Sequence, residues 1–293
     1  MRYLKLLWRV TYGAFCHFLA DDGWAIASHI ALSTLMAMFP FMIVVTALAA
    51  FFFGSKDLAD EAARILLEAW PPQVAGPISD DISGVLTNAR GDVLTFGVLF
   101  ALYFASSGVE SLRIGLNRAY DMAERRPWWL LRLESILYVL IGAVAILAFS
   151  FLVVFAPLLW DRLVLFAPQV QPFSGIITFV RYAVAAMVLV IALAVIHTWL
   201  PAGRRTLGEI TPGIVATLLM WLIAGAVFGR YLAEYAFAYV SMYAGLASAM
   251  VALVFLYVCA SIFVFGAELN STIVKVRLGI DQDIAAGATG RST

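Results

Sequence analysis

Hydrophobic and polar positions in this chain separate into long blocks. Six stretches are almost continuously apolar: Trp24–Phe53, Val93–Val109, Ser135–Trp160, Tyr182–Leu200, Pro212–Gly229 and Tyr243–Ala267. About 18 or more apolar residues carry a helix across a bilayer, and these stretches reach or approach that length. A soluble fold of 293 residues could not hide so much apolar surface. The pattern predicts an all-α integral membrane protein, a six-transmembrane-helix bundle forming a single domain over residues 1–280.

The polar blocks add detail. In the N-terminal segment Leu4, Leu7, Trp8, Phe15 and Leu19 fall at helical spacing, and Arg2, Lys5 and Arg9 supply a basic side. This predicts an interfacial helix lying along the membrane surface. His17, Asp21 and Asp22 interrupt what would otherwise be a signal-peptide core, and no cleavage site follows. The gap Gly54–Asp92 predicts a helical external loop: Leu58, Ala62, Ile65, Leu66 and Ala69 share one helical face up to Pro71–Pro72, and Ile78, Ile82, Val85 and Leu86 share another. Residues 281–293 are polar and rich in Gly and Ala, the composition of a disordered tail. Thr211–Pro212 reads as an N-cap and first-turn pair opening the fifth span. Pro40 predicts a kink, tilt or break in the first. Gly225 and Gly229, followed by Ala244, Ser248 and Ala252, repeat the small-residue spacing that lets membrane helices pack closely.

Composition agrees with the blocks. Charged residues make up 13% of the chain and hydrophobic ones 63%, against about 25% charged in soluble domains. Net charge is zero, so no global field points to nucleic acid. Placement matters more. Thirteen lysines and arginines fall in the N-terminal segment, the Glu110–Glu134 gap, the Pro201–Glu209 gap and the tail, against five in the alternate gaps, with Arg181 inside a span left out. Basic loops stay in the cytoplasm, so both termini are expected there. Cys16 and Cys259 lie too far apart in the sequence for a paired-thiol motif and read as free cysteines. No phosphate-binding loop, HExxH, CxxC or GxSxG occurs, so no enzyme, metal or cofactor is expected.

Polar residues inside a bilayer are where function is sought. Ser28, His29, Ser33 and Thr34 share half of the first span and read either as the lining of a polar cavity or as locally satisfied groups. Ser106, Glu110, Arg113 and Asn117 follow at steps of four, three and four on one helical face. That face is an inward polar patch or an interfacial ion pair that anchors the helix. Arg181 opens the fourth span, where it snorkels to phosphate or holds an anion in the cavity. Glu268 and Asn270 close the sixth, where an acid opposes the helix dipole and calls for a partner, such as an arginine of the Glu110–Glu134 loop.

Several of these segments resemble the YihY/virulence factor BrkB family of bacterial inner-membrane proteins. The resemblance is carried by Ala31–Pro40, Leu116–Asn117–Arg118–Ala119–Tyr120, Arg125–Arg126–Pro127–Trp128, Pro212–Gly213 and Gly266–Ala267–Glu268–Leu269–Asn270, and it covers nearly the whole chain. Two positions depart from the family pattern: Ala37, usually serine, and Tyr243–Ala244, usually Tyr-Gly. The resemblance implies a six-helix inner-membrane fold with both ends inside and no established catalytic residues. Its members once carried the label ribonuclease BN, now regarded as misassigned.

Two functions compete on this reading. One is transport or flipping of a lipid-like or anionic envelope molecule through a polar cavity between the first, second and sixth helices. The other is a membrane scaffold or envelope-assembly and virulence factor acting through the external loop. The partners expected are membrane lipids and a transported substrate, with no nucleic acid. Oligomerisation stays open.

Overall fold

The computed structural model describes residues 2–53, 91–166, 174–243, 247–277 and 279, with side chains described over 6–48, 96–149, 175, 179–180, 183–234, 249–277 and 279. All seven described helices are α: α1 Arg2–Ala20, α2 Gly23–Phe53, α3 Gly91–Ala119, α4 Trp128–Phe166, α5 Ser174–Trp199, α6 Leu207–Tyr243 and α7 Ala247–Arg277. Four of them contain a stretch long and apolar enough to cross a membrane: Gly23–Leu48, Trp128–Phe149, Leu207–Glu234 and Ala249–Arg277. Ala183–Trp199 adds a shorter apolar helix. The predicted external loop lies outside the described residues up to residue 90, as do Ala244 and residues 280–293.

α2 and α7 form the centre. α2 packs on α3, α7 and α4, while α7 also takes α6, α1 and α3. One apolar cluster joins Phe18, Ile30, Leu116, Leu200, Ile210 and Phe263; a second joins Val44 and Val45 to Ala101, Ala105, Val139 and Ala143. Large apolar side chains such as Phe96, Met187, Leu222, Ile223 and Val227 point outward. Outward apolar faces are what lipid favours.

The predicted N-terminal helix is present as α1, and one face of it packs into the bundle. Leu7, Trp8, Tyr12, Phe15 and Leu19 are exposed, while Val10, Ala14 and Phe18, one turn apart, are buried, and α1 packs on α7. The chain turns into α2 through Asp22 in the left-handed region (φ 57), a conformation that aspartate tolerates better than most residues. Gly23 follows because a Cβ there would stand 2.4 Å from the Phe18 ring.

Two expectations change and one narrows. Of the kink, tilt or break expected at Pro40, the break is absent: α2 is one continuous helix. α6 starts at Leu207, five residues before Pro212, because the Thr206 N–H donates to the Glu209 carboxylate at 2.8 Å, half of a capping box that the T-x-x-E spacing could have announced. The close packing of the last two spans also lies elsewhere. No described atom stands within 4 Å of where a Cβ would be on Gly225 or Gly229, whereas one on Gly213 would stand 2.1 Å from the Gly266 carbonyl oxygen. α6 and α7 therefore approach backbone to backbone at Gly213 and Gly266. The side chain of Ser248 lies outside the described residues.

Candidate functional site

The predicted polar face of α3 is real but divides into two networks. Arg113, 3% exposed, donates to Glu110 Oε1 at 3.0 Å, to the Leu131 carbonyl at 3.1 Å and to Ser135 Oγ at 3.2 Å. Arg132 of α4 takes the other Glu110 oxygen and lies 3.8 Å over the Tyr103 ring. Ser106 is satisfied by the Tyr103 carbonyl. These residues close the α3–α4 seam, and their polar groups are matched within it.

Asn117, one turn beyond, belongs to a different set. Its Nδ2 donates to Glu124 Oε2 at 3.1 Å and its Oδ1 accepts from the Ala202 N–H at 2.6 Å. Arg126 bridges Glu124 and Glu134, both at 2.8 Å, and donates to the Leu200 carbonyl at 3.1 Å. The bond from Arg126 holds the Glu124 carboxyl at about 2, below its ordinary 4.5. Residues 120–127 and 200–206 are thereby clamped together. Arg118 pairs with Asp21 at 3.5 Å, so the α1–α2 corner sits at the same end of the bundle.

A third network joins four elements at that end. The Gly213 N–H of α6 donates to Asn270 Oδ1 of α7 at 2.6 Å, which orients the amide. Asn270 Nδ2 then faces Tyr120 and donates to its hydroxyl at 3.3 Å. The Tyr120 hydroxyl and His197 Nδ1 of α5 share a hydrogen bond of 2.8 Å, and His197 Nε2 is buried without a hydrogen-bond partner. Burial raises the Tyr120 phenol to about 12, so it keeps the hydrogen this arrangement uses. His197 is fully buried beside Phe263, ring centroids 5.0 Å apart.

Arg205 lies on the open side of this network. Its guanidinium sits 3.8 Å over the Tyr120 ring and donates Nη2 to the Ala202 carbonyl at 3.1 Å. Nη1 is buried with no hydrogen-bond partner. Burial lowers the Arg205 pKa from its ordinary value, against the opposing pull of Tyr120 and Glu209. This residue lines two cavities. One, of about 980 Å³, is lined by Asp121, Glu124, Arg125, Arg126, Arg204 and Arg205 among others; the second, of about 250 Å³, is lined by Tyr120, Arg204, Arg205, Glu209, Asn270 and Lys275 among others. Arg126 is spoken for by two carboxylates, which leaves Arg125, Arg204 and Arg205 to face an incoming group. The arrangement suits an anion.

The sequence-derived candidates scatter around this site. Ser28 and His29 are exposed on α2 and Ser33 is half-buried. Ser28 donates to the Trp24 carbonyl at 2.9 Å, so it needs no interior. Neither cavity is lined by these three residues. The Arg181 side chain lies outside the described residues. Asn270 belongs to the site; Glu268, two residues earlier, makes no hydrogen bond in it. Tyr120, His197, Glu124, Arg126 and Arg205 were missed as site residues. One signal was available: Leu116–Tyr120, Arg125–Trp128, Pro212–Gly213 and Gly266–Asn270, far apart in the chain, all converge here. Ala37 is buried against Gly108, where a Cβ would stand 3.2 Å from its own.

Comparison with known proteins follows the same segments. A family described as Virulence factor BrkB matches residues 14–287. The ribonuclease-like protein YfkH of Bacillus subtilis (strain 168) is 26% identical over 262 residues, covering 89% of this chain and 94% of that protein. A UPF0761 membrane protein of Rhodospirillum centenum (strain ATCC 51521 / SW) is 24% identical over 259 residues, 88% of this chain but 56% of the longer relative. No solved structure matches the chain.

Proposed function

This chain belongs to the Virulence factor BrkB family, and on that footing we propose that it transports or flips a lipid-like or anionic envelope molecule whose anionic group is received at Arg205. The observation that carries this reading is the buried, unpartnered Nη1 of Arg205, a residue that lines both cavities. An enclosed N–H without a hydrogen-bond partner is costly, and a bound anion removes that cost. Trp199 is exposed and lines the larger cavity, and Trp128 and Trp129 are exposed at the start of α4, the placement of side chains at headgroup depth. The cavity therefore opens where a lipid headgroup would lie.

The membrane arrangement proposed is six crossings, α2 to α7, in a bacterial inner membrane. The α1–α2 corner, the 120–127 and 200–206 connections and Asn270 of α7 share one end of the bundle. Six crossings then leave both termini on that side, and its excess of basic residues favours the cytoplasm. The proposal includes no RNA hydrolysis, cofactor or nucleic-acid partner. Among the described residues no three His, Cys, Asp or Glu side chains stand together as ligands for a metal.

Proteoliposomes carrying a fluorescent phosphatidylglycerol in the inner leaflet test this reading, with loss of fluorescence to an impermeant quencher as readout. The full chain is expected to move label above empty vesicles, and Arg205→Gln to abolish the gain. A parallel uptake of inorganic phosphate separates a lipid headgroup from a free anion. If neither probe moves faster than in empty vesicles, or Arg205→Gln moves them as the wild type does, the proposal falls.

A further inference from the structure

Among the described residues Glu268 is the one buried carboxylate, 1% exposed, and neither of its oxygens has a hydrogen-bond partner. Thr272, one turn further along α7, is also fully buried with its Oγ1 unpartnered. Both lie on the stripe of α7 turned toward α1: Phe265 meets Phe18 at 6.4 Å between ring centroids, and a Cβ on Gly13 would stand 3.2 Å from Thr272. Glu268 falls between these two contacts at helical spacing. No other network described above uses it.

The charges around it come from several elements. Asp21 at the end of α1, Asp121 just past α3, Arg118 in the last turn of α3 and Lys275 on α7 all act on Glu268. Asp22 of the α1–α2 corner and His29 of α2 are exposed, and His17 of α1, one turn before Asp21, is half-buried. Glu209 of α6 faces the smaller cavity, which Glu268 does not line. Arg118, more than half exposed, pairs with Asp21 at 3.5 Å, so the expected arginine of the Glu110–Glu134 segment is present but faces a different carboxylate.

An ionised carboxylate enclosed without a bonded partner costs several kcal/mol; the neutral acid costs only an unmade hydroxyl bond. We propose that Glu268 is a proton-binding site, occupied in this conformation, which releases its proton when Arg118 leaves Asp21 for the Glu268 carboxylate. In that step the carboxyl O–H bond breaks, the proton passes to water, and the guanidinium meets the new negative charge. The Arg118–Asp21 pair ties the end of α3 to the α1–α2 corner, so proton release frees that corner. A proton site coupled to a moving joint is what a proton-driven membrane protein requires.

Infrared difference spectra of the full chain in phosphatidylglycerol-containing nanodiscs at neutral pH test occupancy. The wild type is expected to show the carbonyl stretch of a protonated carboxyl group, and Glu268→Gln to lose that band while melting as the wild type does. A wild type without the band overturns the proposal, and so does a Glu268→Gln variant that melts well below it, since an ionised and paired Glu268 would do both. Hydrogen exchange over residues 20–24, normalised for the intrinsic effect of pH, tests the coupling. Protection is expected to fall as pH rises in the wild type and to stay constant in Glu268→Gln; the same response in both sinks the link to Arg118. Neither readout involves Arg205 or a transported anion, so failure here is separate from failure of the transport reading.

Discussion

The α3–α4 seam and the end of the bundle where α3, α5, α6 and α7 meet each hold an arginine, and they treat it differently. Arg113 in the seam is buried with both terminal nitrogens bonded, to a carboxylate, a carbonyl and a hydroxyl. Arg205 at the other site is half-buried over Tyr120 with one terminal nitrogen bonded and the other enclosed and unmatched. Charge that is fully matched inside the protein has nothing left to offer a ligand and serves as a tie between helices. Charge left incompletely matched beside a cavity is poised to bind. Burial alone does not separate the two cases; the inventory of partners does.

The sharpest way to break this contrast is to remove each arginine in turn. Arg113→Ala leaves Glu110 to Arg132 and is expected to cost about 3 kcal/mol, between one charge-assisted bond and a fully buried pair. Arg205→Ala loses a cation–π contact and is expected to cost only about 1 kcal/mol. Denaturation midpoints of the two variants in the same detergent give the comparison, and equal losses would erase it. Because Arg132 also holds Glu110, replacing Glu110 in the Arg113→Ala background should restore little.

A second test concerns the backbone contact beneath the ligand-facing end. Gly213→Ala drives a Cβ against the Gly266 carbonyl and should cost about 1–3 kcal/mol, as overpacking does. Gly225→Ala meets no described atom within 4 Å and should be neutral or gain up to about 1 kcal/mol from helix propensity. Thermal melts of both variants decide this, and a destabilised Gly225→Ala would move the contact back to the GxxxG step.

The smallest effect is expected at the clamp. Glu124 is held at about 2 against an ordinary 4.5, so its contribution is complete above pH 4.5 and is lost as pH falls toward 2. For a partly exposed pair that contribution is about 1 kcal/mol or less. The melting difference between wild type and Glu124→Gln should hold from neutral pH down to about 4.5 and shrink below it; a constant difference would assign the effect to packing instead of charge.

Much of the fold was legible before any coordinates. Continuous apolar blocks declare membrane helices because a bilayer gives the backbone no partner outside its own helix, and the α1 spacing declared a helix. The apolar cores of Gly23–Leu48, Trp128–Phe149, Leu207–Glu234 and Ala249–Arg277 follow that reasoning directly. The polar face of α3 was legible too, since helical spacing of three and four is local geometry. Its division was not: Arg113 turns to α4 and Asn117 to the 200–206 connection, and those neighbours are set by packing.

His29 shows the same limit from the other side. A histidine in an apolar helix looks functional by position, yet which face of the helix meets protein is a tertiary fact, and this one points outward. The sequence by itself determined that the chain is helical, apolar enough for a membrane, and basic in alternate gaps, because those properties depend on neighbours along the chain. Only the tertiary structure decided that Tyr120, His197, Arg205, Gly213 and Asn270, spread over 151 residues from Tyr120 to Asn270, form one site. Hydrogen bonds at about 3 Å and a backbone contact at Gly213–Gly266 act over distances that no spacing along a single helix encodes.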